Sequence, residues 1–182
     1  MGQYYRAVIL GEAPRGAKGR EIIRLWSCPH DYGYGAKLME HSYFHIHFVL
    51  NLEYQLSPDG IFYKSRVVWA GDYALKEPPK EDGTSDNLYH LCENNSTHMP
   101  LPHRNTSAYP YLVNHTKMQY VDKTKEHIHP LPLLTAEGNG SGGGDYGGHN
   151  EDLCGAWARH VISIEKEPPV GYKELLCRFE EY

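Results

Sequence analysis

The residues of this chain that could do chemistry are a glycine-rich run, several histidine pairs and scattered carboxylates. Residues 135–148 hold seven glycines in fourteen positions, with Glu137, Asn139, Asp145 and Tyr146 among them. Glycine loses more conformational freedom on ordering than any other residue, so such a run is either unordered or shaped for close backbone approach to a ligand. Gly138-x-Gly140-x-x-Gly143 matches a dinucleotide-binding fingerprint by letters. That fingerprint needs a strand before it and a helix after it, and here Asp145-Tyr146-Gly147-Gly148 follows instead. Successive N–H groups in the run could still cradle an anion. A solvent-exposed surface loop is the plainer alternative.

The histidines form short-range pairs: His41-x-x-x-His45 on one helix face, His45-x-His47 or His127-x-His129 on one strand face. Zinc needs three or four converging ligands, and no His-Glu-x-x-His motif is present. With twelve histidines in the chain, chance pairs are expected, so no metal is assigned. Gly140-Ser141-Gly142 lacks the context of a nucleophile elbow. Cys28-Pro29-His30 does not by its adjacency make a catalytic pair. Glu137 and Asp145 could act as general acid and base. Aromatic side chains beside polar loops are the last constellation: Trp69, Tyr73, Tyr111, Tyr146 and Trp157, near Asp72, Asn114, Asp145 and Arg159. Aromatic walls with a few polar groups are how small-ligand pockets are lined, and a purine would stack there. Core packing accounts for the two tryptophans equally well.

These groups need a scaffold. At 182 residues, 40% hydrophobic and 23% charged, the chain reads as one domain, 1–182, with enough material for a core. The net charge of −5 and the lack of a basic stripe argue against a nucleic-acid binder. No apolar run reaches the ~20 residues of a membrane span. The start Met1-Gly2-Gln3-Tyr4-Tyr5-Arg6-Ala7 is neither a signal peptide nor a myristoylation site, so a cytoplasmic protein is expected. Cys28, Cys92, Cys154 and Cys177 lie far apart and read as reduced, mostly buried thiols.

Tyr4–Leu10 and Glu21–Trp26 read as strands of a hairpin with a long connection. Ala36–Leu56 is the main helix, with a break expected near Ser42 and a stop at Ser57-Pro58-Asp59-Gly60. Ile61–Ala70 reads as a strand and Asp86–Cys92 as a short helix. Residues 111–114 and 118–121 read as a second hairpin. Ile128–Leu134, broken by Pro130 and Pro132, reads as an extended edge segment. Ala156–Ile164 reads as a strand, and Tyr172–Arg178 as a short strand or helix. The predicted fold is α+β: a mostly antiparallel sheet, one main helix and long Gly/Pro-rich loops.

Several strings occur together: Met1-Gly2-Gln3-Tyr4-Tyr5, Lys37-Leu38-Met39-Glu40-His41-Ser42, Val68-Trp69-Ala70-Gly71-Asp72-Tyr73-Ala74, Val113-Asn114-His115-Thr116-Lys117 and the run from His129 to Gly140. They resemble a family of uncharacterised proteins of bacteria and their phages. The resemblance spans most of the chain, except a stretch of extra residues between Gly11 and Arg20. It implies a single domain and, having no activity attached, gives no residue a role and names no cofactor.

The leading expectation is a binding protein for a small phosphorylated or nucleotide-like ligand. Its site would be built from Trp69, Asp72, Tyr73, Asn114, Glu137, Asn139, Gly140, Asp145, Tyr146 and Arg159. A phage-borne version would sequester a host signal. Two alternatives stand beside it: a hydrolase using loop carboxylates or histidines, with or without a metal, and a homo-oligomeric interaction protein with a tyrosine-rich surface.

Overall fold

The computed structural model describes residues 3–12, 22–80, 82–94, 109–136, 146–147 and 151–181. The strands are β1 (Tyr5–Gly11), β2 (Ile22–Ser27), β3 (Ser65–Gly71), β4 (Tyr111–Asn114), β5 (Gln119–Asp122), β6 (Thr135–Ala136), β7 (Tyr146–Gly147), β8 (Val161–Glu165), β9 (Lys173–Glu174) and β10 (Glu180–Glu181). The helices are α1 (Leu38–His41), α2 (His47–Leu56) and α3 (Leu88–Glu93). Eight strands form one sheet in the order β2-β1-β3-β8-β4-β5-β9, with β6 also paired to β3. All neighbours are antiparallel except β3 with β6 and β5 with β9. The fold is a single α+β domain with a mostly antiparallel sheet and one main helix. No helix among the described residues is long and apolar enough to cross a membrane.

The central strands are apolar runs because both faces of the sheet are covered. On β1, Tyr5, Ala7 and Ile9 face one core and Val8 and Leu10 the other, following the two-residue period of a strand. On β3, Val67 and Trp69 split from Val68 and Ala70 in the same way. α2 covers the first face with Phe48, Val49, Leu52 and Leu56, and α3 the second with Leu88 and Cys92. In β2 the register jumps at the Ile9/Leu10 step, leaving Arg24 as an extra residue. The bulge lets Ile23 join Trp26 on the second face while Leu25 faces the first.

The main helix is interrupted where the sequence suggested. α1 ends at His41, Ser42 donates its hydroxyl to the Leu38 carbonyl at 3.0 Å, and α2 begins only at His47. Between them His45 adopts φ of 73°, a left-handed conformation that β-carbon crowding disfavours. At the far end Gly60 meets the last turn of α2 so closely that a β-carbon there would lie 2.2 Å from the Tyr54 carbonyl.

Three expectations change. The strand expected from Ile61 starts at Ser65, because residues 61–64 are a turn with Lys64 at φ of 56°. The strand expected from Ala156 starts at Val161, after a run of turns. Ile128–Leu134 is not an extended edge: Leu131–Leu134 is a 3-10 turn whose four residues are all buried. Proline without an N–H fits the first turn of a helix as well as a sheet edge, and the three leucines decide by burial. The segment lies in the core under β3, whose far edge forks. β8 pairs with Ser65 and Arg66, while β6 pairs with Trp69 and Ala70.

Candidate functional site

A cleft of about 310 Å³ opens where the break between α1 and α2 faces the open end of the β4–β5 hairpin. Val49, Leu50 and Glu53 of α2 form one wall, since positions four apart share a helix face. Tyr43, Phe44 and His45 come from the helix break, and Tyr109 and Pro110 from the segment entering β4. Lys123, Thr124 and Glu126 come from the turn after β5, with His129 beyond it. That turn is fixed by Asp122, whose carboxylate accepts from the Thr124 backbone at 3.1 Å and from its hydroxyl at 2.6 Å. The Glu126 N–H closes it on the Lys123 carbonyl at 3.3 Å, and Lys123 N–H bonds the Pro110 carbonyl at 2.9 Å.

Three ionisable side chains meet on the cleft wall. Glu53 Oε1 accepts from Lys123 Nζ at 2.5 Å and from His129 Nε2 at 2.7 Å. All three are nearly removed from water, with side-chain exposures of 5%, 10% and 4%. Burial alone would push the Glu53 carboxyl upward, but Lys123 and His129 together hold it well below the usual carboxylate range. Burial holds His129 below its ordinary value, against the pull of Glu53. The Glu53 carboxyl is therefore held ionised, and burial favours the neutral form of His129. A carboxylate only accepts, so the imidazole proton sits on Nε2. His129 Nδ1 is then a lone-pair acceptor, buried and, among the described residues, without a hydrogen-bond partner. The chain positions the ring through the His129 N–H, which bonds the Ser42 carbonyl at 2.6 Å, and through Phe44 packed at a ring separation of 5.8 Å. Glu126 is half-buried. Burial raises its carboxyl, opposed by the Cys177 N–H and by Arg178.

The residues singled out from sequence go elsewhere. Trp69 is in the core and donates from Nε1 to His41 Nδ1 at 3.4 Å. Asp72 accepts the Tyr4 N–H at 3.0 Å on its carboxylate and the Asn87 amide at 2.8 Å on its carbonyl. Tyr73 is exposed beside it. Asn114 is buried, accepting from the Thr116 and Lys117 N–H groups and bonding His160 through its amide at 2.9 Å. Arg159 pairs in a fork with Glu77, its backbone at φ of 64° in the turn before β8. Thr135 and Ala136, which precede the glycines in sequence, pair with Trp69 and Ala70. Glu137, Asn139, Gly140 and Asp145 lie outside the described residues. Tyr146 is described by its backbone alone, in β7 against β10. Trp157, like Trp69, is core. Among the described residues no group of three or more metal-ligating side chains converges.

Of the cleft residues, Glu53 was open to sequence reasoning, since an acid four residues after Val49 and one after Leu52 sits on a buried helix face. Lys123 and Tyr109 carried no local signal. The His127/His129 pair does not share a face: His127 is exposed and His129 buried. The four cysteines are free thiols, with Cys92 and Cys177 buried and pushed up to about 12 by burial, which makes them inert.

The fold and cleft define an α+β chain with a ligand-sized, aromatic-walled depression over a buried ion pair. No protein-family model, curated protein or solved structure matches the chain.

Proposed function

We propose that this protein binds a small molecule in the cleft beside Glu53, Lys123 and His129, and does so in the cytoplasm. The observation that carries the reading is the buried polar triple on the wall of an aromatic-lined cleft. Desolvating an ion pair and leaving an imidazole acceptor unmatched costs stability that a purely structural apolar contact would not. The left-handed His45 on the same rim points the same way, because backbone strain of order 1–3 kcal/mol persists where surrounding structure or function holds it. The volume of about 310 Å³ lies at the small end of known ligand sites, roughly 300–1,000 Å³. The test is binding to the full chain with the cleft open and blocked. Thr124 sits exposed on the rim, so Thr124→Arg obstructs the opening; it gives up the hydroxyl's bond to Asp122 and keeps the backbone bond that holds the turn. Ligands that raise the melting temperature of the native protein and not of this variant support the reading. Equal shifts in both defeat it.

A hydrolase is the second reading, favoured by one feature. A neutral imidazole oriented by a carboxylate through Nε2 leaves Nδ1 as a base, which is how carboxylate–histidine dyads are arranged for proton abstraction. Product formation from a screened ester or amide panel, lost in His129→Gln with binding retained, would establish it. Binding without turnover across the panel would remove it.

A further inference from the structure

We infer that the occupant of the cleft is an uncharged planar heterocycle with a ring carbonyl next to a ring N–H, a cyclic amide of the kind found in pyrimidine and oxopurine bases, and not an anion. The inference rests on the reading that the cleft is a binding site.

Charge decides against an anion. The charged side chains lining the cleft are two carboxylates, Glu53 and Glu126, and one ammonium, Lys123. Lys123 is already neutralised by Glu53 at 2.5 Å. Neighbouring Lys125 is turned to Glu174 and Asp122, at 2.5 and 3.5 Å. Among the described residues the other cations near the lining are engaged as well, Arg178 acting on Glu126 and Lys166 standing 5.4 Å over the Tyr109 ring, so a carboxylate or phosphate entering here would be desolvated beside two carboxylates with no unengaged cation to meet it.

Hydrogen-bonding capacity selects the head group. The Lys123 ammonium has three N–H donors and, among the described residues, only Glu53 as partner. It can donate to a carbonyl. Glu126, in the same tight turn, offers carboxylate lone pairs beyond the one taken by the Cys177 N–H. It can accept an N–H. One turn thus carries a donor and an acceptor, the two functions that an adjacent carbonyl and N–H of a cyclic amide call for. Tyr43, Phe44 and Tyr109 supply aromatic faces for a planar ring. Size agrees: a cavity of about 150 Å³ suffices for benzene, so 310 Å³ holds a ring and a substituent of similar bulk.

The experiment is calorimetric titration of the full chain with uracil and hypoxanthine, with 1,3-dimethyluracil, which keeps the shape and carbonyls but has no N–H, and with benzoate, indole and inorganic phosphate. Thr124→Arg and Leu50→Trp, both filling the cleft from its rim, are titrated in parallel after their circular dichroism is matched to the native chain. The expected result is binding of uracil or hypoxanthine, at least tenfold weaker binding of the methylated ring, no binding of phosphate, and loss of binding in both variants. Equal affinity for the methylated ring, or tighter binding of benzoate or phosphate, would overturn this inference. Where that tighter binding is still lost in the variants, the cleft remains the binding site. Silence across the whole panel would overturn both.

Discussion

At the residue scale, Glu53 holds the largest stake. Its carboxylate joins a cation from the β5 turn to an imidazole from the segment beneath the helix break. Removing one partner leaves a buried charge unmatched, so Lys123→Ala is expected to cost about 3–5 kcal/mol in urea unfolding. Replacing both ions by apolar residues of similar volume, Glu53→Leu with Lys123→Met, is expected to cost less than either single change. A double variant as unstable as the sum of the singles would show that the pair is not mutually compensated. His41 makes a separate pH prediction. Its Nε2–H meets the Gly35 carbonyl at 2.9 Å, and burial lowers its pKa from 6.5 to about 4, the Gly35 bond opposing and His30 adding to the effect. The unfolded chain binds a proton near pH 6.5 and the folded chain resists it to about 4, so the unfolded state gains protons first as pH falls. Stability is full above pH 6.5 and drops towards pH 4, by about 3 kcal/mol from this residue. His115, His129 and His160 are also lowered, chiefly by burial, and act with the same sign. Chemical unfolding from pH 7 to 4 should show this fall, shallower in His41→Gln. A flat profile would contradict it.

At the scale of elements, the α1–α2 break and the β5 turn make the cleft, and each has a local cause. Gly60 lets the chain pass the carbonyl end of α2, where its N–H bonds the Ser57 carbonyl at 2.9 Å. Gly60→Ala would set a methyl against the Tyr54 and Gln55 carbonyls and is expected to cost about 1–3 kcal/mol by overpacking. Thermal melting checks this, and an unchanged melting temperature would mean that the turn yields freely. The strands β1 and β3 and the helix α2 were legible because burial on both faces writes continuous apolar runs and a helical stripe into the sequence. The buried 130–134 turn was not legible. Two prolines signal a segment that cannot pair in a sheet, but they do not say whether it lies at an edge or beneath one.

At the scale of the whole molecule, the two apolar layers share β1 and β3, so neither layer should unfold without the other. The chain is expected to melt in one cooperative step. A ligand at about one hundred times its dissociation constant adds roughly 2.7 kcal/mol to the native state. For a chain of this length each kcal/mol moves the midpoint by about 2–4 °C, so a shift of roughly 5–10 °C is expected from a cleft ligand. The cleft itself was hidden from the sequence. Glu53, Tyr109, Lys123 and His129 are up to 76 positions apart, and no spacing announces their meeting. The aromatic and acidic residues that stood out, Trp69, Asp72 and Arg159, were visible through type and neighbourhood. They instead fill the core, cap a strand and close an ion pair.

The most direct test of the cleft as the binding site is a set of amide proton–nitrogen correlation spectra of the native chain titrated with a library of uncharged one- and two-ring fragments. The account predicts fragments that move the amides of His45, Glu53, Lys123 and His129 together and leave them still in Thr124→Arg. Fragments that move other amides while these four stay fixed would contradict it.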